Sequence, residues 1–160
     1  MVLFSSVSDN NPGSWRVVND GVMGGLSEGK IMYDNEDIMT FTGEVSLENN
    51  GGFSSIRYPM KTTDIKGKTT FILEVKGDGS QYQFRAKKNQ GDYYSYVNYF
   101  QTSGEWETIE ITIESLEPAF RGRMLNMDNF SADKLAEIGI LIGNKKKQKF
   151  ELQVKSIQLK

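Results

Sequence analysis

Arginines set among glycines and small hydroxyls are the residues here whose types and spacing suit chemistry best. In Gly51-Gly52-Phe53-Ser54-Ser55-Ile56-Arg57, an extended backbone puts Phe53, Ser55 and Arg57 on one face and Ser54 and Ile56 on the other. A guanidinium flanked by small hydroxyls can offer its planar fork to a carboxylate or phosphate. An internal ion pair, with Asp20 as partner, explains it equally well. Arg121 and Arg123 flank Gly122 after Pro118-Ala119. They suit an anion or peptide clamp, or a structural Arg–Asp network. The segment Asp20-Gly21-Val22-Met23-Gly24-Gly25 packs glycines densely enough to imply unusual backbone angles or a close approach. Asp20 can form a turn, accept from an arginine, or ligate a hard cation. In Tyr93-Tyr94-Ser95-Tyr96-Val97-Asn98-Tyr99-Phe100, alternation groups Tyr94, Tyr96 and Phe100 against Tyr93, Val97 and Tyr99. Exposed, such rings form a stacking platform for sugars or a protein contact; buried, they fill a core.

Composition removes other chemistries. The 160 residues contain no histidine and no cysteine. A His-based triad, a thiol nucleophile, a disulfide and an ordinary structural zinc site are therefore excluded. A net charge of −2 argues against a dedicated nucleic-acid binder. Two carboxylates could still do the acid–base work of a hydrolase, but with 21 acidic residues no motif singles out a pair. Gly77-Asp78-Gly79-Ser80-Gln81-Tyr82 fails as a dinucleotide fingerprint, since Tyr82 takes the third glycine position and a strand follows. Asp34-Asn35-Glu36-Asp37 lacks calcium-loop spacing and reads as a solvated turn. Lys145-Lys146-Lys147-Gln148-Lys149 reads as a solubilising hairpin tip. Asn129-Phe130-Ser131 matches a glycosylation triplet, but nothing in the sequence points to secretion. The apolar start, Met1 to Phe4, is too short for a leader, and a cytoplasmic protein, or one whose leader has been removed, is expected.

The elements that position these residues have a period near two. Phe71/Leu73/Val75, Tyr82/Phe84, Ile109/Ile111/Ile113, Ile138/Ile140/Ile142 and Phe150/Leu152/Val154 each share a face. The last pattern slips to Ile157/Leu159, which predicts a β-bulge near Lys155-Ser156. Gly77-Asp78-Gly79 between two strands predicts a tight hairpin. One short helix is expected over 131–136, capped by Ser131 or Asp133. None of the three prolines, Pro12, Pro59 and Pro118, is expected to interrupt a strong strand. Eight to ten strands with so little helix predict an all-β sandwich or jelly roll in one domain, residues 1–160.

The clusters occur in a specific order. Trp15 through Ser27 is followed by Phe41 and Gly43, then Gly51 to Arg57, Lys76-Gly77-Asp78-Gly79 and Tyr82. Tyr96, Phe100, Gly104, Trp106, Phe120-Arg121-Gly122-Arg123, Ile138 to Ile142 and Phe150-Glu151-Leu152 complete it. This series, over about residues 12 to 160, resembles the complex I intermediate-associated protein 30 family. The resemblance implies a galactose-binding-like β-sandwich of jelly-roll type. It also implies a non-enzymatic, chaperone-like role in assembling respiratory NADH:ubiquinone oxidoreductase. The chain looks like a stand-alone, bacterial-type member.

The expected function is thus a non-enzymatic module that binds a protein partner, such as a respiratory-complex subunit or intermediate. Its contact residues are expected among Asp20, Gly24, Gly25, Arg57, Tyr96, Arg121 and Arg123. If Asp20 is buried, it should pair with one of the arginines. No cofactor, catalytic residue or metal site is assigned, and neither nucleic acid nor a membrane span is expected. The alternative is a jelly-roll carbohydrate-binding module with a structural calcium, for which Tyr93, Tyr94, Tyr96, Tyr99 or Trp106 would floor a groove.

Overall fold

A computed structural model describes residues 1–160, the side chains of Val22 and Met23 apart. The chain forms β1 (Val2–Ser5), β2 (Arg16–Asn19), β3 (Glu28–Tyr33), β4 (Met39–Val45), β5 (Ser54–Asp64), β6 (Thr70–Lys76) and β7 (Gln81–Lys87). It continues with β8 (Ser95–Gln101), β9 (Trp106–Thr112), β10 (Glu117–Phe120), β11 (Arg123–Met124), β12 (Lys134–Ile142) and β13 (Gln148–Leu159). Four short 3-10 turns are the only helical elements among the described residues.

Alternation drives this chain into two antiparallel sheets. One runs β3-β4-β13-β6-β9, with β1 also on β13; the other runs β11-β10-β8-β7-β12-β5-β2. The inward positions read from the sequence meet between the sheets. Phe71 of β6 packs on Phe84 of β7 at 4.8 Å, joining the two layers. Ile138, Ile140 and Ile142 face the same core, fully buried, as do Leu152, Val154, Ile157 and Leu159. The expected bulge is present: the pairing of β13 with β6 shifts register between Val154 and Ser156. That shift keeps Ile157 and Leu159 on the core side after the phase change. Trp15 packs edge-on against Phe4 at 5.1 Å, and the Tyr58 hydroxyl donates to Asp9 at 2.8 Å. The N-terminal segment is thereby fastened to β5.

Four expectations about local structure need correction. The chain over 131–136 is not helical; Lys134 and Leu135 begin β12 and pair with Asp64 and Thr63 of β5. Strand pairing overrides a weak helical preference there. Gly77-Asp78-Gly79 is not a hairpin, because β6 and β7 belong to different sheets. It carries the chain from one layer to the other, held by Thr102, whose hydroxyl accepts from the Gly79 N–H (3.1 Å) and bonds the Ser80 carbonyl (2.7 Å). The lysine-rich segment likewise crosses between sheets, from β12 to β13. Two strands joined by a tight turn have the same local pattern whether they pair or cross. Finally, Pro59 and Pro118 do lie within strands β5 and β10. The β2–β5 pairing extends only as far as Arg57, so the missing N–H of Pro59 falls where β5 has lost that neighbour.

Candidate functional site

Asp20 is 1% exposed, as the pairing expectation required, yet it meets no arginine. Its Oδ1 accepts from the Ser27 N–H at 2.9 Å. Its Oδ2 accepts from the Ser27 hydroxyl (2.5 Å), the Gly52 N–H (2.6 Å) and the Phe53 N–H (3.2 Å). Burial by itself raises this carboxyl's pKa, but the hydrogen bonds from Ser27, Gly52 and Phe53 outweigh it and hold the group below the usual carboxylate range. The expected Asp20–Arg pair is therefore corrected to a carboxylate staple. A carboxylate supplied with four donors needs no cation.

The surrounding glycines make room for that staple. A Cβ on Gly51 would lie 2.6 Å from the Asp20 Oδ2, and one on Gly25 would fall on the carboxylate itself. Gly24, at φ 88°, closes the preceding turn in the left-handed region. The glycine clusters at 21–25 and 51–52 are thus two halves of one device. It ties the β2–β3 loop to the loop entering β5. The tied loops present Leu26 and Leu47, 53% and 46% exposed. They border a shallow cavity of about 460 Å³ with Glu44, Ser46, Glu48 and Lys147.

Arg57 leaves this staple along β5 and projects from the outer face of the seven-stranded sheet. Direct pairing fixes its row: Arg16 opposes Arg57, Arg57 opposes Gly139, Gly139 opposes Arg85, and Arg85 opposes Val97. Directly opposed residues point to the same side. The adjacent row holds Pro59, Glu137 and Lys87, and the other holds Ser55, Leu141, Gln83 and Tyr99. This face is recessed: Ser55, Gln83, Lys87 and Glu137 are all buried although they point away from the core. Glu137 is 4% exposed and pairs with Arg16 at 3.5 Å. Lys87 donates to the Asp92 carbonyl at 2.8 Å, and Arg85 to the Gln83 amide oxygen at 2.6 Å. Burial, with a smaller push from Arg57 and against the pull of Glu137, brings Arg85 down to about 10. Burial likewise lowers Lys87.

The other expected contacts separate. Tyr96 is corrected to a core residue: 6% exposed, edge-on to Phe130 at 4.9 Å, its hydroxyl pushed up to about 12 by burial and by Tyr94. It opposes Ala86, whose side of the strand faces the core. Arg121 turns the β10–β11 hairpin at φ 49°, its guanidinium 5.1 Å from the Phe120 ring. Arg123 is exposed on β11 at the sheet edge. Strands β12, β7 and β8 lie between β5 and β10, so Arg57 and this hairpin are roughly 19 Å apart along the sheet. They do not form one clamp. Tyr99 is 53% exposed and borders a groove of about 490 Å³ with Gln81, Gln101, Asn144, Lys145 and Lys146. Trp106 belongs to the other sheet and lies near Lys155, at 5.6 Å. Among the described residues, no three acidic side chains converge as a metal site would need.

Arg16, Arg85, Lys87 and Glu137 were not singled out by sequence reasoning. Their signal was present but weak: charged residues on the wet side of strands whose other side is core.

Two packed antiparallel sheets define a β-sandwich, and its jelly-roll neighbours among solved structures include carbohydrate-binding modules. The family 11 carbohydrate-binding module from Clostridium thermocellum, solved with a β-1,3-1,4-mixed-linked tetrasaccharide, superposes with a TM-score of 0.67 at 18% identity, over 91% of this chain and 88% of that one. A family 29 carbohydrate-binding module gives 0.56 at 11% identity, over 98% and 88%. The agarase AgWH50C gives 0.66 at 12% identity, with all of this chain matched to 26% of that one. At such identities the likeness is one of fold. In sequence, residues 3–154 match the family described as complex I intermediate-associated protein 30 (CIA30), and the chain belongs to that family. No curated protein matches it in sequence. Among the described residues, no helix is long and apolar enough to cross a membrane.

Proposed function

We propose that this chain is a non-catalytic module that grips a protein partner, a subunit or intermediate of respiratory complex I. One observation carries the reading. The residues that mark the family tie two loops through the Asp20 carboxylate, and the tied loops present Leu26 and Leu47 to solvent. Exposed aliphatic side chains on pre-organised loops suit a protein contact, because little ordering entropy is lost on binding. Family membership supplies the class of partner. The test is crosslinked affinity capture of the tagged protein from its own cells, beside a Leu26→Asp/Leu47→Asp variant that melts like the parent. Complex I subunits should be enriched by the parent and lost from the variant. Equal recovery of those subunits by both, or by neither, would overturn the reading.

A second reading rests on Tyr99. This exposed ring beside Gln101 and Asn144 is the arrangement a sugar would stack on and bond to. In that reading the chain is a carbohydrate-binding module. Titration with oligosaccharides should then quench tyrosine emission in the parent and not in Tyr99→Ala.

A further inference from the structure

The recess above Gly139 is distinct from the loop platform and has an unbalanced charge. Arg57 and Arg85 rise from strands on either side of β12, their backbones about 9–10 Å apart across two strand spacings. Between them Gly139 contributes no side chain. A Cβ there would come within 2.8 Å of the Ile56 carbonyl oxygen, so the gap is kept open by the close backbone approach. Among the described residues Arg57 makes no ion pair and no side-chain hydrogen bond, and the side-chain partner of Arg85 is a neutral amide. The nearby carboxylate, Glu137, is engaged by Arg16 and has Lys87 opposite it.

Two guanidiniums thus share a recess with too little negative charge. Like charges repel more strongly where solvent is partly excluded, and a half-buried cation without an anionic partner is costly. The same conditions strengthen the hold on an incoming anion. A planar carboxylate matches a guanidinium fork in bidentate geometry.

The geometry points to a carboxylate-binding slot between Arg57 and Arg85 over Gly139, which takes an Asp or Glu side chain from an acidic segment of the protein partner. This inference rests on the protein-binding reading. Charge complementarity sets the sign of the occupant. The neighbouring outward residues favour polypeptide over glycan: Val18, Pro59, Val97 and Leu141 are aliphatic, and Tyr99 is the single aromatic ring at the paired outward positions of β5, β12, β7 and β8. A bound glycan chain commonly rests on more than one ring, whereas an acidic side chain needs the fork and aliphatic walls.

The experiment follows the arginine Nε–H signals by NMR in the full chain during titration. The probes are an Asp/Glu hexapeptide, its Asn/Gln counterpart and oligogalacturonate. Signals of Arg57 and Arg85 should move with the acidic peptide and stay still with the neutral one. Arg121 should not respond. Arg85→Lys keeps the charge but loses the fork, and should weaken the acidic peptide about tenfold. No movement of Arg57 or Arg85 at millimolar peptide would overturn the slot. A stronger response to oligogalacturonate than to peptide would overturn the polypeptide occupant. The capture experiment separates this inference from its parent reading. If Arg57→Gln/Arg85→Gln still enriches complex I subunits as the parent does, the slot falls while the platform stands. If it loses them while remaining folded, the slot is supported.

Discussion

Two buried or half-buried charges sit within one connected segment, and the fold treats them oppositely. Asp20 is given four donors, two of them backbone N–H groups from a loop 32 or 33 residues away in sequence. Arg57, five residues beyond Gly52, is given no anion, and neither is Arg85 across the glycine gap. A buried charge with all its bonds satisfied belongs to the fold; a recessed charge left without a counter-ion is where a ligand belongs. The staple holds the loops and the start of β5, and so positions both the leucine platform and Arg57.

The largest effect should come from breaking the staple. Asp20→Ala strands the N–H groups of Ser27, Gly52 and Phe53, leaving the Ser27 hydroxyl only its bonds to Ser46, and should lower unfolding free energy by about 3–5 kcal/mol. Urea denaturation measures this; a loss under about 1 kcal/mol would remove the staple from the structural side of the comparison. Gly51→Ala drives a methyl against the Asp20 carboxylate and should cost roughly 1–3 kcal/mol in the same assay. Acid should act on the same bond. Because the folded carboxyl is held below its ordinary value of 3.8, the stability it contributes is present above that pH. It should be lost as pH falls from near 4 through the lower folded value. Asp20→Asn should flatten this acid limb, and Asp9, lowered as well by Tyr58 and Ser14 against its burial, should account for part of what remains.

The sheet face should behave in reverse. Tyr99→Ala should change stability by no more than about 0.5 kcal/mol, because the ring projects from the outer face. By contrast, Tyr96→Ala removes a core ring and should cost about 3–5 kcal/mol. A similar loss from both would mean that the two faces of β8 are not distinguished as the structure has them. Circular-dichroism melts of the pair settle this comparison.

The layered core was readable from alternation alone, since Phe71, Leu73 and Val75, or Ile138, Ile140 and Ile142, announce a half-buried strand without any knowledge of its neighbours. The bulge after Val154 was readable for the same reason. Which strand pairs with which was not. The turn at Gly77 to Gly79 and the lysine-rich crossing look like hairpins until sheet membership is known. The candidate sites divide along this line. The chemistry of Asp20 and Arg57 was visible in their glycine-rich settings. That they do not meet, and that Arg85 stands beside Arg57 across Gly139, depends on the order β7-β12-β5, in which strands distant in sequence become adjacent. Tyr96 was misplaced because an aromatic run has rings on both faces, and only the packing of Phe130 selects the buried set.

The most direct test of the contrast is the unfolding free energy of the Arg57→Gln/Arg85→Gln variant, measured in urea beside the parent. Removing two like charges from a recess should leave stability unchanged or raise it slightly, by up to about 1 kcal/mol. A loss of more than about 2 kcal/mol would show that these arginines hold the fold as Asp20 does, and would contradict the division between the two regions.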